Sequence, residues 1–220
     1  GVQQVNEETR DSLTVSLGLD GVELVYPLGR KPLHVNLSGR VDASGPSRRL
    51  RIAADLTASA GQASFGPLSL GASRLHLVAT ADREAADVSR FEVSAAGLRL
   101  VAAAGKAVSF DKAALAGRGR LDLVRGAADV PALEARLTGL PPLALSGRFA
   151  VGGPGPAEAS LGTRGLDVPS LRGLAAPFLP DALSGWDLAG SADLALEARR
   201  AAAGAWTLAG TVLLNQARFN

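Results

Sequence analysis

The 220 residues are 47% hydrophobic and 20% charged, enough apolar material for a sizeable core and too much for a disordered chain. The 23 basic and 21 acidic side chains leave a net charge of +2 and are scattered, which excludes a basic footprint for nucleic acid. Cysteine is absent, so disulfides, thiol catalysis and cysteine-based zinc sites are excluded as well.

Methionine is also absent, even at position 1, which reads as a processed chain or an excised segment. No apolar run approaches the roughly 18 residues that a membrane-spanning helix needs. The opening GVQQVNEETR lacks the layout of a secretion signal. The chain reads as one unit, 1–220: an antiparallel meander over 12–168, a helix over 169–179 and terminal strands over 184–220.

Residues 5–11 are polar and read as a lead-in. Leu13, Val15, Leu17 and Leu19 then alternate with Thr14, Ser16 and Asp20, the two-residue period of a half-buried strand. A second strand is expected over Val22–Leu28, and a third carries Leu33, Val35, Leu37, Gly39 and Val41 on one face. Ser44-Gly45-Pro46-Ser47 reads as a turn. Further strands follow at Leu50–Leu56, weakly at Gly61–Leu70, and at Leu75–Ala79. Asp82–Asp87 reads as a loop or one helical turn. Strands at Phe91–Ala95 and Leu98–Ala102 are divided at Gly97, and a short one holds Val108 and Phe110.

Leu115–Val124 is a longer strand, with Leu121 and Leu123 on its apolar side. Leu133–Leu137 and Leu143–Val151 follow, the second carrying Leu145 and Phe149. Gly152-Gly153-Pro154-Gly155-Pro156 is the strongest turn signal in the chain. Only Pro169–Leu179 breaks the period: Leu171, Leu174, Ala175, Phe178 and Leu179 have helical spacing. Pro169 suits a first helical turn and Pro177 stops it, so about two turns are expected, lying over the sheet or its open end.

A phrase Leu-[Ser/Ala]-Gly recurs with its glycine on the apolar face, at Leu37–Gly39, Leu115–Gly117, Leu145–Gly147, Leu188–Gly190 and Leu208–Gly210. Glycine inside a strand marks a bulge, a bend or a close approach. Repeated across strands, it lets a sheet curl on that face. One apolar and one polar face per strand exclude a parallel sheet covered on both sides. Roughly a dozen strands are too many for a flat open sheet. The fold class that follows is mainly β: an elongated, curled antiparallel sheet, a taco-like groove or partly open barrel, with one short helix near the C-terminal end. Aromatics are only 4% of the chain, so Leu, Val, Ala and Gly line the apolar face. Such a lining either encloses an apolar groove or fills a β-sandwich core.

Catalytic patterns are missing. His34 and His76 sit on polar faces without a second ligand at metal spacing, and no metal or other cofactor is expected. Gly71-Ala72-Ser73-Arg74-Leu75 is no nucleophile elbow, and Gly105-Lys106 lacks the rest of a phosphate loop. The chain is therefore read as non-enzymatic.

From Gly165 onward, SLRGLAAPFLPDALSG is followed by WDLAGSADLALEA and WTLAGTVLLNQARF. This stretch resembles the AsmA-like superfamily, the AsmA-, TamB- and YhdP-type proteins of Gram-negative envelopes. The resemblance implies a long periplasmic parent protein, anchored in the inner membrane by a part outside this chain. It implies a curled sheet with a hydrophobic interior that shields phospholipid or another acyl lipid. The function implied is phospholipid transport between inner and outer membrane, or outer-membrane assembly, with envelope proteins as further partners. The alternative is a structural or protein-interaction β-sandwich with a filled core. The expected groove lining is Leu121, Leu123, Leu145, Phe149, Trp186, Leu188, Leu194, Leu196, Trp206 and Leu208. Leu194→Glu would block an acyl chain in a groove but unfold a filled core.

Overall fold

A computed structural model describes residues 12–28, 31–46, 48–59, 63–65, 68–101, 107–151, 155–175, 188–201 and 204–219. Thirteen strands form one sheet: β1 (Ser12–Leu28), β2 (Lys31–Pro46), β3 (Leu50–Ser59), β4 (Ala63–Phe65), β5 (Leu68–Leu70), β6 (Ser73–Ala81), β7 (Ala85–Val101), β8 (Ala107–Asp122), β9 (Ala127–Leu137), β10 (Leu143–Ala150), β11 (Ala157–Asp167), β12 (Leu188–Arg200) and β13 (Trp206–Phe219). Among the described residues one helix, α1 (Val168–Ala175), stands between β11 and β12. The sheet is a curled, open antiparallel meander in the order β1-β2-β3-β6-β7-β8-β9-β10-β11-β12-β13. The small hairpin β4–β5 lies off this path, with β5 on β7 beyond the end of β6.

Several expected breaks lie inside longer strands. Residues 13–19 and 22–28 belong to one strand, because the register against β2 shifts at Asp20-Gly21 and then resumes. Gly97, at φ +91°, sits within β7 and does not end it. Val108, Phe110 and Leu115 share β8. The expected turn at Ser44–Ser47 is also displaced: β2 runs through Pro46, and the Arg49 N–H closes the turn on the Pro46 carbonyl at 2.8 Å. Asp82–Asp87 shrinks to a tight turn, with β7 already under way at Ala85.

Four of the five recurring glycines lie at register shifts, and Gly210 sits in regular register. Register shifts fall opposite or beside Gly39, Gly117, Gly147 and Gly190. A bulge bends its strand and increases its twist, so a line of bulges curls the sheet. Gly39 has φ +142°, a conformation that side chains with a Cβ avoid, and a Cβ there would run into the Asp55 carbonyl. At Gly117 the reason is close approach. A Cβ would lie 2.5 Å from the Ala132 carbonyl oxygen and 2.8 Å from the Leu133 side chain, which crosses over the glycine from β9.

The sheet does not close. Among the described residues β1 bonds only to β2, and β13 only to β12. Nor do the described residues bury a conventional core. The buried apolar residues are mostly alanines (Ala54, Ala79, Ala85, Ala95, Ala157 and Ala192), joined by Phe110, Leu166 and Val168. No large side chain among the described residues is below 2% exposed. The surface is 15192 Å², against ~9,400 Å² for a compact chain of this mass by the usual surface scaling.

Candidate functional site: an apolar face across eleven strands

Antiparallel pairing places apolar side chains from successive strands in rows at right angles to the strands. One row starts with Leu17, Val41, Ala54, Leu77 and Phe91 on β1, β2, β3, β6 and β7. It continues through Gly117, Leu133, Leu145, Leu161, Leu196 and Gly210 on β8 to β13. Parallel rows run through Leu194 and Ala198 on either side, ending at Val212 and Leu208 on β13. A fourth row runs from Leu13 and Gly45 through Leu121, Phe149 and Ala157 to Arg200 and Trp206. Eleven strands at roughly 4.8 Å spacing make each row about 48 Å long.

This face is crowded, and among the described residues only α1 lies over it. Its alanines at positions 54, 79, 95, 157 and 192 are buried, whereas those of the opposite face at 114, 116, 132, 144 and 195 are exposed. Its leucines in mid-sheet, Leu77, Leu115, Leu133, Leu145, Leu161 and Leu196, are only half-buried. Toward β13 exposure rises, to 72% at Leu208. Continuous apolar area of this extent is unusual on a free protein surface and marks a contact or ligand surface.

One margin of the face is covered. α1 lies against β11 and β12, where Leu166, Val168 and Thr163 are buried and Ala192 is 1% exposed. The Thr163 hydroxyl donates to the Pro142 carbonyl at 3.1 Å, which satisfies the one polar side chain among the buried residues described there. Asp167 caps the helix, accepting from the Ser170 N–H at 2.9 Å and the Ser170 hydroxyl at 2.8 Å. The helix had been expected over Pro169–Leu179. Its observed span is Val168–Ala175, and residues 176–187 lie outside the described residues.

The opposite face is polar and self-paired. Arg40 pairs with Asp42, Arg90 with Glu92, Arg136 with Glu134 and Arg199 with Glu197, each two residues apart on one strand. His76 bonds Asp55 across strands at 2.6 Å through Nδ1. The Ser16 hydroxyl and then Arg40 hold Asp42 below the usual carboxylate range, and Arg90 does the same for Glu92. These exposed pairs are solvated and contribute little stability. A shallow depression of about 670 Å³ on this face is floored by Ala116, Ala132, Ala144, Ser146 and Ser160 beside Glu134 and Glu197. Among the described residues no group of three or more His, Asp or Glu is placed to hold a metal, and no helix is long and apolar enough to cross a membrane.

Of the ten residues expected to line a groove, Leu121, Leu145, Phe149, Leu194, Leu196, Trp206 and Leu208 share the apolar face. Leu188 opens β12 opposite Phe219. Trp186 lies outside the described residues. Leu123 falls elsewhere: β8 stops at Asp122, and Leu123 stands in the following turn, 49% exposed. The Asp122 carboxylate stops the strand by accepting the N–H groups of Val124 and Arg125. Sequence reasoning passed over Leu133, Leu161 and Leu77 as lining, although they carry the same two-residue alternation. It also passed over Arg200, whose place in an apolar row depends on its pairing with Ala157 and Trp206. No protein-family model, curated protein or solved structure matches the chain.

Proposed function

We propose that this chain is a non-enzymatic lipid-handling segment of a periplasmic, AsmA-like envelope protein. In this reading the apolar face is the wall of an open trough. It shields the acyl chains of phospholipid or another acyl lipid, in transport between inner and outer membrane or in outer-membrane assembly. The observation that supports the reading is the set of rows across eleven strands, apolar but for Thr163 and Arg200, whose mid-sheet leucines stay half-exposed. A filled β-sandwich would bury those leucines. At about 48 Å, a row is longer than an extended acyl chain of 16–18 carbons, about 20 Å. The resemblance of Gly165–Asn220 to the AsmA-like superfamily supports the same reading.

The test is a mass-spectrometric inventory of lipid co-purifying with the chain, paired with Leu194→Glu. Leu194 is half-buried and pairs with Thr163 and Val212 on the apolar face. The variant is expected to keep its strand circular dichroism and lose bound lipid. A wild-type chain free of lipid, with a variant that unfolds, would favour the filled-core alternative.

A further inference from the structure

The four rows contain one charged side chain among the described residues. Arg200, the last residue of β12, lies between Ala157 on β11 and Trp206 on β13, in the row that also holds Leu121 and Phe149. The polar face of β12 has its own ion pair, Arg199 with Glu197 at 3.1 Å. Arg200 points the other way. Its Nε and Nη2 donate to the Gly155 carbonyl at 3.2 and 2.9 Å. Its guanidinium stands 5.2 Å from the centre of the Trp206 ring. Both contacts orient the group, and neither neutralises it. A guanidinium carries five N–H donors, so three are not directed at Gly155.

We infer that Arg200, set by Gly155 and Trp206, receives the phosphate of an acyl lipid whose tails lie in the trough. The inference rests on the lipid-handling reading above and names the headgroup class. Three features favour this occupant. A planar guanidinium matches a phosphate with two parallel hydrogen bonds, a geometry that an ammonium lacks. The site lies at the strand-end margin, where β12 ends at Arg200 and β13 begins at Trp206, so a headgroup stays in water while the rows take the tails. Trp206, 51% exposed, places an amphipathic ring where apolar face and solvent meet.

The experiment titrates the 220-residue chain with fluorescent phosphatidic acid and with fluorescent diacylglycerol of the same acyl chains. Wild type, Arg200→Gln and Arg200→Lys are compared, with inorganic phosphate as a competitor. Arg200→Gln is expected to weaken phosphatidic acid binding roughly ten-fold, the loss of one charge-assisted bidentate contact, and to leave diacylglycerol binding unchanged. Arg200→Lys should recover only part of that loss. In the wild type, salt should weaken binding of the phosphatidic acid alone, a readout that holds even if a variant misfolds. Equal effects of Arg200→Gln on both lipids, or no salt dependence, would overturn the headgroup assignment and leave the trough standing. Displacement by phosphate at concentrations matching the lipid would make this a free-anion site and overturn it too. Failure of the wild type to bind either lipid would remove the trough reading, and this inference with it.

Discussion

At Gly117 the missing side chain lets Leu133 of the neighbouring strand cross the backbone. Gly117→Val fills that space, and about 2–3 kcal/mol of stability should go with it. Gly162 is the control: a Cβ there would meet only the Leu194 carbonyl oxygen, at an ordinary 3.7 Å. Gly162→Ala should therefore fall within about 0.5 kcal/mol of wild type. Urea midpoints of the two variants check the pair, and equal losses would remove the special role of the glycine phrase. Asp82 makes a second residue-scale point. Its carboxylate accepts the N–H groups of Ala85 and Glu84, both at 2.8 Å, and these hold it below the usual aspartate range. A carboxyl lowered in the folded state stabilises above its unfolded value and stops doing so as pH falls through the folded one. The turn before β7 should thus hold at neutral pH and loosen below about pH 4. Amide exchange at Ala85 followed from pH 6 to pH 2 measures this. Exchange that stays insensitive down to pH 2 would show that the carboxylate does not hold the turn.

Elements were readable where a residue's neighbours along the chain decide its state. Alternation at Leu13–Leu19 and Leu50–Leu56 and helical spacing after Pro169 each correspond to an element of the expected type. Element ends were less readable, because a bulge and a turn look alike in one dimension. Asp20-Gly21 has turn chemistry, yet the Gly21 N–H bonds the Ser38 hydroxyl at 3.0 Å and the strand continues. Asp122 has the same kind of side chain and does end its strand, which is why Leu123 left the apolar face. Local chemistry is decisive again at the start of α1. Asp167→Ala removes the acceptor for Ser170 and should cost about 1 kcal/mol, read as faster amide exchange in Val168–Ala175. Unchanged exchange would mean that contact with β11 and β12 alone holds the helix.

Over the whole molecule, the sequence reveals a one-sided apolar sheet but not its register. Residues belong to one row only because each strand is fixed against the next, and that pairing is a long-range property. Leu145 and Leu196 could be assigned to the apolar face from alternation, whereas Arg200 entered its row only through Ala157 and Trp206. The strand order has a further consequence. Among the described residues, each strand of the main path bonds its neighbours on that path, β7 alone carrying β5 as a side branch, and nothing joins β1 to β13. Such an arrangement behaves as a chain of nearest-neighbour couplings, so loss of structure should travel inward from the two free edges as a zipper opens. Hydrogen exchange followed by mass spectrometry should give a ladder of protection that peaks around β7 and β8 and declines toward β1 and β13. A single uniform exchange rate would instead mean that the curl ties distant strands into one cooperative unit. With a ladder, the sheet can widen or shed its outermost strands without melting its middle, and under the proposed lipid-handling reading a long acyl chain would enter sideways at an edge as readily as along the rows.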